Sequence, residues 1–72
     1  MKIKIQYCVQ WNYLPVASGL AAEIEKRLNV KAELEKSSGG AFEVYKDGKL
    51  IYSKFKEGRF PENDEVIKLL SE

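Results

Sequence analysis

Cys8 is the only cysteine in this 72-residue chain. It follows an alternating segment, Lys2-Ile3-Lys4-Ile5-Gln6-Tyr7, and precedes a helical pattern that opens around Pro15. The thiolate is the reacting form of cysteine, and an unperturbed thiol with pKa about 8.5 is only about 3% ionised at pH 7. A helix N-terminus favours the anion by roughly 0.3–1 kcal/mol, less than one pKa unit. The dipole alone therefore raises the thiolate fraction only a few-fold. A reactive Cys8 needs direct hydrogen bonds from the backbone amides of residues 10–12, and a sulfur open to a partner. Such a thiolate would attack an oxidised partner or be oxidised to a sulfenic acid. The opposing reading is a small, inert hydrophobe packed in a core. Residue type alone leaves both open.

The remaining inventory removes other chemistries. There is no histidine, so a Ser or Cys triad has no base and the usual zinc ligation is missing. Glu62, Asp64 and Glu65 crowd a helix start and do not read as a paired acid and base. No Gly-rich phosphate loop is present. Twelve basic residues against 11 acidic ones leave +1, without the basic stripe a duplex nucleic-acid binder needs. One cysteine excludes an internal disulfide and fits a reducing compartment. Gln6, Gln10 and Asn12 interrupt the first twenty residues, so no signal peptide is expected, and no run approaches a membrane span. The composition, 44% hydrophobic, describes a globular domain. The expectation is one soluble, cytoplasmic domain over residues 1–72, with a net stability of only a few kcal/mol.

These residues must be positioned by few elements. Residues 2–7 read as a strand with Ile3, Ile5 and Tyr7 on one face. From about 14 to 28, Ala17, Leu20, Ala21, Ile24 and Leu28 recur at helical spacing. Pro15 suits the first turn, and Gly19 suggests close approach of helix to sheet. Residues 30–35 alternate again and should lie parallel to the first strand through a right-handed crossover. Because neither strand is a continuous apolar run, helices are expected on one face only. Residues 41–46 and 49–55 read as a hairpin around Asp47-Gly48, a type I′ signal, with Lys54 and Lys56 guarding its outer strand. Pro61 opens a last helix with Glu62, Asp64 and Glu65 in its first turn and Val66, Ile67, Leu69 and Leu70 inward. The order is βαβββα: an α/β, two-layer α+β fold with a mixed four-stranded sheet.

Four fragments stand in a characteristic order: Tyr7-Cys8-Val9-Gln10, Gly40-Ala41-Phe42-Glu43-Val44, Gly48 through Lys54, and Gly58-Arg59-Phe60-Pro61. With them the chain resembles the selenoprotein W-like (Rdx) redox family, a trimmed thioredoxin-like fold, over nearly its whole length. The family's signature is Cys-x-x-Cys or Cys-x-x-selenocysteine. Cys8 matches its first position, whereas Trp11 occupies the second.

The resemblance implies catalysis by Cys8. Trp11 has no nucleophilic atom, so this chain has no resolving thiol of its own. A mixed disulfide on Cys8 must be resolved by another molecule, glutathione being the obvious co-substrate, with no bound cofactor. The expected role is a monothiol oxidoreductase forming mixed disulfides with glutathione or a protein. The alternative is a redox-inactive module in which the same surface binds a protein. Candidate binding residues are Val9, Gln10, Trp11, Tyr13, Gly39 and Gly40. Trp11 reads either as a shield packed at the sheet margin or as an exposed apolar wall. Gly39 and Gly40, where larger thioredoxin-like proteins carry a cis-proline, either admit a substrate backbone or simply turn the chain. The positive charges from Lys46 to Arg59 read as a solvated face or as a dock for an acidic partner. A monomer or a weak dimer through the outer strand completes the expectations.

Overall fold

In the computed structural model, which describes residues 1–72, the alternating start of the chain forms β1 (Ile3–Cys8). Helix α1 (Leu14–Leu28) crosses to β2 (Ala32–Ser37), which lies parallel to β1 with Ile3 opposite Ala32 and Cys8 opposite Ser37. Strand β3 (Phe42–Lys46) pairs antiparallel with the other side of β1, and β4 (Lys49–Ser53) pairs antiparallel with β3. The sheet order is β2-β1-β3-β4. One helical turn, α2 (Lys54–Glu57), and a closing helix, α3 (Asn63–Ser71), complete the chain.

Ile3, Ile5 and Tyr7 of β1, Phe42 and Val44 of β3, and Tyr52 of β4 meet Ala17, Leu20 and Ile24 of α1 and Val66, Ile67 and Leu70 of α3 in one core. Both longer helices therefore cover the same sheet face, as the alternation of the strands requires. The opposite face carries a polar ladder across the sheet. Ser53 donates to Glu43, the Tyr45 hydroxyl to Gln6, and the Gln6 amide to Glu35 at 2.8 Å. Arg27 bonds Asp64, tying α1 to α3. Asp47 and Gly48 both adopt positive φ (51° and 85°), the conformation a type I′ hairpin demands.

Several boundaries depart from expectation. Strand β2 begins two residues late because Asn29 ends α1 in the left-handed region, its amide bonding Glu25, and Val30 and Lys31 complete the reversal. Val30, Ala32 and Leu34 nonetheless keep one parity and pack against the core. Strand β4 stops at Ser53. Lys54 and Lys56 belong to α2, which Gly58 terminates at φ 77°, so they do not line the strand edge. That edge carries instead a bulge: Tyr45 pairs with Leu50 and Val44 with Tyr52, leaving Ile51 without an opposite residue. Helix α3 starts at Asn63 rather than Pro61, with the Glu65 carboxylate accepting the Glu62 amide. Gly19 is exposed with open space where a Cβ would stand, so it marks no close approach to the sheet.

Candidate functional site

Cys8 is the last residue of β1, and five residues, Val9–Tyr13, separate it from α1. Its amide donates to the Ala41 carbonyl at 2.8 Å, and its carbonyl accepts the Tyr13 amide at 3.0 Å. Between these, the Asn12 amide bonds the Val9 carbonyl, and the Val9 amide reaches Ser37 on β2. The backbone thus makes a tight turn laced to the strand ends.

The sulfur sits differently from its sequence expectation. Cys8 is 0% exposed, and no hydrogen bond from residues 10–12 or elsewhere reaches Sγ. The physical reason is the length of the turn. The favourable field of a helix N-terminus is confined to its first turn, and Cys8 lies outside it. The amides of Cys8, Val9, Asn12 and Tyr13 are spent on carbonyls. The sulfur is therefore covered and without a hydrogen-bond donor in this conformation. Cys8 is as fully buried as Ile5, yet it lies outside the contiguous cluster that holds Ile3, Ile5 and Tyr7. The pleat gives it the parity of Lys4 and Gln6, on the sheet face that no helix covers.

Around it the candidate binding residues divide. Trp11 is 64% exposed, and its ring lies on Gly40, which is buried. Tyr13 meets Trp11 edge-on at 6.2 Å between centroids. Val9 and Gln10 are exposed and face solvent from the turn, and a Cβ built at exposed Gly39 would meet nothing within 4 Å. The structure brings together Trp11, Tyr13 and Gly40, and leaves Gln10 and Gly39 at the margin.

Two residues outside the sequence-based set complete the surface. Phe60 packs edge-on against Tyr13 at 4.7 Å and against core Phe42 at 5.3 Å. Lys54 places its ammonium over both Tyr13 and Phe60, 5.6 and 5.3 Å from the centroids. The Phe60 loop is held by the Tyr52 hydroxyl, which donates to the Arg59 carbonyl at 2.6 Å, and burial raises the Tyr52 pKa. The Gly-Arg-Phe-Pro fragment was the available signal for Phe60. Lys54 stood in the sequence only as one of the positive charges from Lys46 to Arg59, and its place over Tyr13 and Phe60 depends on the fold.

The sheet order, the one-sided helices and the turn after β1 define a small thioredoxin-like protein. The chain matches the Rdx family over residues 2–72 and belongs to it. A selenoprotein W-related protein from Vibrio cholerae superposes with a TM-score of 0.92 at 27% identity, covering 97% of this chain and 91% of that one. A protein from Bordetella parapertussis superposes at 0.91 with 26% identity, covering 97% and 92%. No curated protein matches the chain. The family points to a thioredoxin-like, redox-related function. No helix is long and apolar enough to cross a membrane.

Proposed function

We propose that this chain is a single-thiol redox protein whose Cys8 is masked at rest and reacts when the Val9–Tyr13 turn lifts. The observation that carries the reading is a completely buried sulfur on the last residue of β1, with the short Val9–Tyr13 turn following it directly. Family membership supports the chemistry. In the open form the Cys8 thiol loses its proton to solvent and attacks oxidised glutathione or a protein disulfide. A new bond forms at Sγ, the partner's S–S bond breaks, and one thiolate leaves. Since Trp11 stands at the second motif position, a glutathione thiolate from solution resolves the mixed disulfide and returns Cys8.

The same reading has the chain working in the cytoplasm as a monomer. What supports the monomer is the defence of both sheet edges. A copy pairing antiparallel on β2, about its central Leu34 or Glu35, sets carboxylates opposite one another. The β4 edge is broken by its bulge.

Alkylation of native protein in a urea series tests the proposal. A domain of this size unfolds globally at about 4–5 kcal/mol, whereas a local opening of about 3 kcal/mol exposes roughly one molecule in 150. Masked reactivity predicts a rate that is slow but nearly independent of low urea, together with one added glutathione by intact mass. A rate that follows global unfolding throughout the series sinks it. That outcome favours a second reading, a protein-docking module built on Trp11, Tyr13 and the Gly39-Gly40 turn. Its supporting observation is the high exposure of Trp11, whose ring rests on Gly40.

A further inference from the structure

We infer that the Trp11 indole, seated on Gly40, is a latch that holds the Val9–Tyr13 turn onto the Ser38–Ala41 turn. The inference rests on the single-thiol reading only for what the latch guards; the latch itself stands on geometry. A Cβ at residue 40 would lie 3.1 Å from Cζ3 of Trp11, with Cε3 and Cη2 at 3.4 and 3.6 Å. A side chain at residue 40 would therefore push the ring outward by a few tenths of an ångström. The neighbouring Gly39 shares a positive φ (68° against 81°) but has nothing within 4 Å of the same construction. Gly40 is buried while Trp11 is 64% exposed, so the indole covers the glycine rather than being covered.

The turn needs such a clamp. Asn12 is in the left-handed region at φ 56°, which a non-glycine residue adopts at some cost. No side-chain hydrogen bond holds Val9, Gln10, Trp11 or Asn12, whose links are the backbone bonds from Val9 to Ser37 and from Asn12 to Val9. The Trp11 ring against Gly40 links this turn to the 38–41 turn through a side chain. Ala41 accepts the Cys8 amide, so the latch closes beside the end of β1 where the thiol lies. Trp11 and Gly40 are thus positioning residues for the turn.

The paired glycines make the test. Gly40→Ala and Gly39→Ala carry similar backbone strain, but only the former collides with the indole. Amide exchange of Asn12 and Tyr13 is read against that of Val44 in the core. The latch predicts exchange at Asn12 and Tyr13 about tenfold faster in Gly40→Ala than in Gly39→Ala, with Val44 unchanged between them. Trp11→Ala, at an exposed position, should reproduce the effect, and the double variant should add nothing. Equal exchange in the two glycine variants, or wild-type exchange in Trp11→Ala, overturns the latch. Faster exchange without faster Cys8 alkylation leaves the latch standing and removes the single-thiol reading instead, so the two failures are distinct.

Discussion

Exchanging the Cys8 sulfur for oxygen should destabilise this protein more than deleting the sulfur. Sγ is fully buried and unbonded, flanked by backbone groups already paired with Ala41 and Tyr13. In Cys8→Ser a hydroxyl enters that space without a partner, costing about 1–3 kcal/mol of desolvation. In Cys8→Ala only the packing of one heavy atom is lost, roughly 1 kcal/mol. A domain this small has a urea m-value of about 1 kcal/mol/M, so the midpoint should fall by about 1–3 M for serine and about 1 M or less for alanine. Urea unfolding followed by far-UV circular dichroism measures both. The order of the two variants decides the matter. Serine as stable as wild type, or more stable than alanine, would show a solvated sulfur and refute the masked geometry. The expected order also makes serine a poor inactive control, and alanine the better one for partner-capture experiments.

Two further outcomes follow from single residues. Gly19 is exposed in the interior of α1 with open space at its Cβ position, so Gly19→Ala should stabilise by about 1 kcal/mol and raise Tm by about 4–8 °C in calorimetry. The Arg59 guanidinium grips Glu65 through two hydrogen bonds of 3.0 and 2.9 Å and holds its pKa below the ordinary carboxylate range, helped by the Glu62 amide. A depressed folded pKa stabilises the protein above the unfolded value and loses that contribution as pH falls through the folded one. Urea midpoints taken between about pH 5 and pH 2 should therefore fall less steeply in Glu65→Gln than in wild type, and parallel curves would refute the pairing.

Most of the architecture is legible in local patterns. Period-two alternation in residues 2–7 and the helical repeat of Ala17, Leu20 and Ile24 fixed which side chains enter the core, because those periods are properties of the backbone itself. Asp47-Gly48 announced its hairpin for the same reason. Boundaries were harder wherever one stretch suited two periods. Lys54-Phe55-Lys56 alternates like a strand, yet Gly58 closes it as a helical turn. Gly19 suggested tight packing that a solvent-facing helix position does not need.

The chain's own order of residues determined the two-layer sheet, the family signature and the replacement of a second thiol by Trp11. It could not determine whether Cys8 is open. That depended on how the five-residue turn after β1 meets the chain around Ser37 and Ala41 at the strand end. Periodicity assigns a face to a residue, but accessibility is a sum over contacts from distant segments. Only the tertiary structure assembles that sum, and at Cys8 it turns an expected nucleophile into a covered one.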